Sequence, residues 1–288
     1  MANGSAKYSG DEENMFMKYG YLIDRIEWPF VKLKHELNCS AVFDEWLAIA
    51  NAYNGSQEPP REIPLDLVSE YTLNNLARHE KWYLSDNHNS AEPPKWTEAY
   101  IDQLVRNGSV ANESPYESVY SSTAFHSVAN MTGLVVGSLT PWVEMICLKN
   151  GAAKLITSEY MKIESTHPQI TYAHPIDMAK NWKRYYQSMD FVVSFSSIEH
   201  SGLGRYGDPL DPIGDLREMR KIQCFLKRGG LLFIGLPVGV DAVVFNAHRI
   251  YGRLRLAMMF EEVPSVRPNC NSSSLEEHKG FDPEAVQF

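Results

Sequence analysis

Beyond about residue 120 the chain alternates short apolar runs with amphipathic stretches. "TGLVVGS" (Thr132–Ser138) reads as a buried strand ending in glycine, and "PWVEMICLKNG" as a helix opened by Pro141 and stopped by Gly151. "KLITSEY", "QITYAHP" and "MDFVVSFSS" read as further strands, "DLREMRKIQCFLKRGG" as a helix with a glycine stop, and "LLFIGLPVG" as a fifth strand. "DAVVFNAHRIYGRLRLAMMF" (Asp241–Phe260) reads as a final helix. Strands alternating with helices predict an α/β fold with a doubly wound parallel sheet. Upstream, the pattern predicts helices over Met15–Leu37, Val42–Ala52, Pro64–Leu84 and Lys95–Arg106. In the second of these Phe43, Trp46, Leu47 and Ala50 share one face, with Val42 and Ile49 off it. The expected organisation is a mostly helical region over 1–120, serving as lid and substrate region, a sheet domain over 121–262, and a flexible polar tail over 263–288.

Composition narrows the function classes. The 288 residues are 44% hydrophobic, enough for a sizeable core, and carry a formal net charge of −9. An acidic balance argues against a nucleic-acid partner. No window approaches the ~20 apolar residues of a membrane span. Cys39, Cys147, Cys224 and Cys270 form no CxxC pair, which disfavours a cysteine-based zinc site. The apolar surroundings of Cys147 and Cys224 predict buried thiols, with room for one disulfide in the chain. Seven asparagines (Asn3, Asn38, Asn54, Asn107, Asn112, Asn130 and Asn271) begin N-x-S/T. Chance placement among the 17 asparagines would give roughly two. The excess points to the secretory lumen, whereas the opening residues lack the apolar core of a signal peptide and point to the cytoplasm.

In parallel sheets of this kind ligands bind beyond the carboxyl ends of the strands, and candidate chemistry gathers there. Gly137 ends the first strand and leaves backbone room, though a tight turn would explain it equally. Glu159 ends the second strand about 20 residues later, where an acid can accept from ribose hydroxyls; a solvated Glu is the alternative. Asp177 follows the third strand, near an adenine or as a helix N-cap. Glu199 and His200 follow the fourth strand and precede the glycine-rich "SGLGRYGDPLDPIGD". A carboxylate beside an imidazole suits a divalent metal or an oriented general base, and equally a structural loop cap. His248 and Arg249, placed on the final helix, could close the cleft or face solvent.

From about Ser121 to Phe260 the order of motifs resembles class I S-adenosylmethionine-dependent methyltransferases, a Rossmann-like fold. More closely, "VVGSLTPWVE", "ITSEY", "DFVVSFSSIEHSGLGRYGDPLDPIGDLREM", "LKRGGLLFIGLPVG" and "FNAHRIYG" resemble the nematode-rich domain of unknown function 268 family. The wider resemblance implies S-adenosylmethionine as cofactor. Gly137, Ser138, Pro141 and Trp142 would surround its methionine part, Glu159 and Tyr160 its ribose, Asp177 its adenine and Ser196 its other side. Arg205, His248 and Arg249 would meet the substrate. "SSIEH" resembles the E-x-x-E-H of metal-assisted O-methyltransferases with the first carboxylate replaced by Ser196, leaving Glu199, His200 and His248 as metal ligands. Two departures stand out. Leu139 and Pro141 occupy the later positions of the usual GxGxG, and the tail after Phe260 shows no convincing pair for the two further strands such a sheet normally adds, so the sheet is short or the chain truncated. The expected function is methylation of a small-molecule or glycan hydroxyl, with Glu199 or His200 taking the proton and Trp82, Tyr83, Trp96 and Tyr100 offering a stacking surface. The alternative is a non-catalytic module on the same fold. The absence of G-x-S-x-G argues against an α/β hydrolase.

Overall fold

The computed structural model describes residues 36–52, 58–84, 92–107 and 116–261. The helix expected over Met15–Leu37, but for its last two residues, the tail from 263, Cys270, and the sequons at Asn3, Asn54, Asn112 and Asn271 lie outside the described residues. In chain order the elements begin α1 (Cys39–Ala52), α2 (Val68–Tyr71), β1 (Arg78–Lys81), β2 (Lys95–Trp96), α3 (Glu98–Asn107) and α4 (Tyr116–Phe125). Then follow β3 (Thr132–Val136), α5 (Trp142–Lys149), β4 (Lys154–Ser158), β5 (Glu164–Ser165), β6 (Ile170–Ala173), α6 (Pro175–Lys180) and α7 (Trp182–Tyr185). The chain continues through β7 (Met189–Phe195), a 3-10 turn at Ile198–His200, α8 (Gly214–Phe225), β8 (Leu226–Gly235), β9 (Ala242–Phe245), β10 (His248–Ile250) and α9 (Arg253–Phe260).

Five strands form one parallel sheet in the order β6-β4-β3-β7-β8. The first three strands grow outward in one direction and the last two in the other, so direction reverses between β3 and β7. Successive residues face opposite sides of the sheet. Leu134, Ile156 and Val192 pack beneath α1, α6, α8 and α9, while Val135, Leu155, Phe191 and Val193 pack beneath α3, α4 and α5. The near-continuous apolar runs read in the sequence are strands covered on both faces. α1 adds Phe43, Trp46 and Ala50 to the first layer; Val42, assigned off the apolar face, is also buried.

Three sequence expectations are corrected. Pro64–Leu84 is not one helix: Leu73, Asn74 and Asn75 adopt positive φ (51°, 56° and 67°), ending α2 and leading into β1. Asp241–Phe260 contains a hairpin, β9 and β10, joined at Asn246 (φ 64°), and only Arg253–Phe260 is helical. Asp241 starts that helix by accepting from the backbone amides of Gly252, Leu254 and Arg255. Lys227–Gly230 is not the end of α8 but a bulged start of β8.

Upstream segments are woven into the sheet domain. β1 pairs in parallel with β9, which pairs antiparallel with β10, in a separate three-stranded sheet. β2 pairs with β5. Cys39 at the start of α1 is disulfide-bonded to Cys224 near the end of α8, correcting the free-thiol assignment for Cys224. Cys147 is a free, buried thiol. Among the described residues no helix is long and apolar enough to cross a membrane.

Candidate functional site

A cavity of about 530 Å³ opens at the carboxyl ends of β3, β4 and β7, at the reversal point, where open parallel sheets bind ligands. Its first wall is the turn after β3. Gly137 has φ +70°, and a Cβ there would overlap the Ser197 side chain. Only glycine lets the β3 and β7 ends approach so closely. Its amide donates to the Ser158 carbonyl (2.9 Å), joining the turn to β4. Ser138 and Leu139 line the cavity, as does Trp142, in edge contact with Tyr116 and Phe195.

Behind this wall stands Glu144 of α5, fully buried and not anticipated from the sequence. It accepts from the hydroxyls of Thr157 (2.7 Å) and Ser138 (2.9 Å), bracing β4 against the β3 turn. Burial pushes its carboxyl up to about 7.

The second wall carries Glu159, which accepts from the Tyr160 (2.7 Å) and Met161 (3.2 Å) amides through Oε1 and from the Ser138 amide. Burial raises its carboxyl, while these donors oppose the rise. Tyr160 also lines the cavity.

The third wall follows β7. Ser196 adopts φ +48° and its hydroxyl donates to Glu199 Oε1 (2.8 Å). Strain at a cleft edge marks positions whose geometry is over-determined by their surroundings. His200 faces the cavity, whereas Glu199, 2% exposed, stands behind the lining. The Ala247 carbonyl (2.6 Å) accepts from His200 Nδ1, so the neutral ring carries its lone pair on Nε2, 3.7 Å from Glu199 Oε1. Burial lowers His200 to about 4 and raises Glu199 to about 7. Near pH 7 the histidine is neutral, and Glu199 keeps its proton to far higher pH than an ordinary carboxyl. Glu199 Oε2 is buried without a hydrogen-bond partner.

The glycine-rich loop closes the rim. Asp208 gathers it by accepting from the amides of Gly202, Leu203 and Gly204 on Oδ2 and Tyr206 on Oδ1. Tyr71 of α2 donates to the Gly202 carbonyl (2.6 Å). Arg249 donates to the carbonyls of Ser201 (2.5 Å), Asp211 and Pro212 (both 3.2 Å), and lies 3.7 Å from buried Asp215. Arg255 also grips Asp215. This cationic clamp fastens the β9–β10 hairpin to the loop. α8 and α1 complete the floor with Glu218, Lys221, Ile222, Phe225 and Phe43. Lys221 pairs with Glu218 and lies over the Trp46 ring (4.1 Å).

Of the residues singled out from sequence, Gly137, Ser138, Trp142, Glu159, Tyr160, Ser196 and His200 line this one cavity. Six others stand outside its lining. Pro141 is buried at the N-cap of α5, and Asp177 is exposed in the first turn of α6, whose N-cap is His174. Arg249 is a structural clamp on β10, not a helix-surface cation. Arg205 stacks over Tyr206 (4.9 Å), and the His248 and His200 ring centroids are 6.4 Å apart. Glu199 is the sixth. The proposed stacking aromatics also lie elsewhere: Trp96 is buried in the far layer, Trp82 and Tyr100 are exposed, and the Tyr83 hydroxyl donates to Pro59. The aromatics contributed from upstream are Phe43 and Tyr116. Phe43 lay on the predicted apolar stripe of α1, so a core signal concealed a lining residue.

Among the described residues no three His, Cys, Asp or Glu side chains converge as a metal site. The donor set also fits a divalent ion poorly: Glu199 is behind the wall, His200 Nδ1 is engaged, and His248 is one ring away. No curated protein matches the chain. A family model matches residues 130–276, a span holding all five parallel strands and every cavity wall except Phe43 and Tyr116. That match covers just over half of the 288 residues, and the chain belongs to the family described as Caenorhabditis protein of unknown function, DUF268.

Proposed function

We propose that the cavity binds S-adenosylmethionine and that the chain transfers its methyl group to a hydroxyl of a small molecule or glycan. The reading rests on the strand order, which is that of Rossmann-like nucleotide-binding sheets, and on one observation above all. Gly137, Glu159 and His200 share one cavity whose ionisable lining is acid-rich: Glu159, Asp208 and Glu218 against Lys221, itself paired with Glu218. Such walls repel phosphates and suit a cationic nucleoside, whose positive centre also gains from aromatic faces such as Trp142. The volume falls within the 300–1,000 Å³ typical of small-ligand sites.

The cofactor supplies an electrophilic methyl carbon. Glu159, held by backbone amides, would accept from the ribose hydroxyls. The β3 turn and Ser196–Ser197 would hold the methionine end, and alignment would provide most of the acceleration. An acceptor hydroxyl would pass its proton to His200 Nε2, the ring nitrogen that carries the lone pair, as its oxygen bonds the methyl carbon and the carbon–sulfur bond breaks with the electron pair left on sulfur. The imidazolium so formed lies 3.7 Å from Glu199 Oε1, whose ionised form stabilises it. Glu199 is therefore a positioning residue and His200 the base.

Titration calorimetry with S-adenosylhomocysteine tests this. Wild type should bind, and Glu159→Ala should lose about 10- to 100-fold in affinity, the value of one hydrogen bond to a charged group. His200→Ala should bind normally and lose methyl transfer. Absence of heat with wild-type protein would overturn the proposal. Leu139 and Trp142, standing in the cavity wall at the altered turn, favour a second reading, a binding module. Tight binding without transfer to any of a panel of hydroxylated acceptors would select it.

A further inference from the structure

We infer that Asn38, Asn107 and Asn130 are acceptors for N-linked glycans and that the chain matures in an oxidising secretory lumen. Three independent observations converge. The first is the excess of sequons: seven among 17 asparagines, against roughly two by chance.

The second is placement. The three sequon asparagines within the described residues are all exposed at element boundaries. Asn38 precedes α1, Asn107 is the last residue of α3, and Asn130 sits in the turn before β3 with φ 61°. Asn38 caps α1 through Oδ1, which accepts from the Ala41 amide (3.2 Å), so the nitrogen to be glycosylated is not the capping atom. Asparagines whose side-chain nitrogen is committed behave oppositely. Asn150 donates to the Tyr120 carbonyl and Thr123 hydroxyl, Asn181 to Asp177 and buried Asn246 to Leu203. None of these begins a sequon. None of these three asparagines lines the cavity, so glycans on them would leave it open.

The third observation is the Cys39–Cys224 disulfide. Disulfides form and persist in the same compartments in which asparagines are glycosylated and are rare in the cytosol. Cys39 is itself the middle residue of the Asn38 sequon.

The donor is a lipid-diphosphate-linked oligosaccharide. The asparagine amide nitrogen forms a bond to sugar C1, the C1–O bond to the diphosphate breaks, the lipid diphosphate leaves with the electron pair, and the amide proton passes to base. The hydroxyls of Ser40 and Thr132 complete two of the sequons.

The full chain, directed into the endoplasmic reticulum of cultured cells behind a cleavable signal, is compared with a variant carrying Asn38→Gln, Asn107→Gln and Asn130→Gln. Glycosidase-sensitive mobility should drop by three steps, and peptide mass spectrometry after glycosidase should find Asp at the three positions in wild type. Ser40→Ala and Thr132→Ala should each remove one step without touching an asparagine. The inference is overturned if non-reducing electrophoresis shows the disulfide formed in lumenal wild-type chain while none or one of the three sites is occupied.

Discussion

Glu144 offers the sharpest test of the physics beneath the cavity wall. It is completely buried, and its two carboxyl oxygens accept from hydroxyls, not from a cation. Burial lifts it from an ordinary value of 4.5 to about 7. A carboxyl with a higher pKa folded than unfolded contributes its full stability below pH 4.5 and loses it as pH rises through 7. The shift corresponds to about 3 kcal/mol, since each unit is worth 1.36 kcal/mol. Glu144→Gln removes the titration while keeping shape and one acceptor oxygen. The Thr157 hydroxyl would have to turn from donor to acceptor, a loss of about 1 kcal/mol. Urea unfolding at pH 5, 7 and 9 should show the variant slightly less stable than wild type at pH 5 and about 2 kcal/mol more stable at pH 9. A difference constant across that range would mean that Glu144 is ionised in the fold and that the burial argument is wrong.

Gly137→Ala forces a Cβ into the positive-φ region and onto Ser197; unfolding should show a loss of about 2 kcal/mol, and calorimetry a loss of S-adenosylhomocysteine binding. Asp215→Asn leaves Arg249 and Arg255 buried with less compensating charge; a loss of about 3–5 kcal/mol is expected in denaturant titration. Cys39→Ser with Cys224→Ser removes the covalent tie between α1 and α8. It should cost about 2–5 kcal/mol and raise amide exchange in α1, where Phe43 lines the cavity.

The parallel sheet was legible because each strand is a β-branched apolar run bounded by glycine, proline or a charged turn, and because burial on both faces leaves no alternation to misread. The strand-end acids and His200 followed from that placement. What failed depended on partners distant in sequence. "AVVFNAHRI" carries no Asn-Gly pair, so its turn at Asn246 was hidden, and β9 owes its pairing partly to β1, 164 positions upstream. The Cys39–Cys224 bond spans 185 positions, beyond any local signal. Arg249 reads as a surface cation until Asp215 and three carbonyls are found around it. Asp208 and Glu218 carried no motif; their places in the wall come from loop closure and from the docking of α8.

The parallel pairing of β1 with β9 sets an order of events during synthesis. The upstream strand leaves the ribosome long before its neighbour exists. At roughly 5–20 residues per second, the 164-position separation between Arg78 and Ala242 leaves β1 waiting about 10 to 30 seconds without a pairing partner. Every backbone group along it is meanwhile open to intermolecular pairing, a hazard of late-satisfied strands. The exposed Arg78, Glu80 and Lys81 within it supply the charge that keeps such a strand from recruiting a stranger.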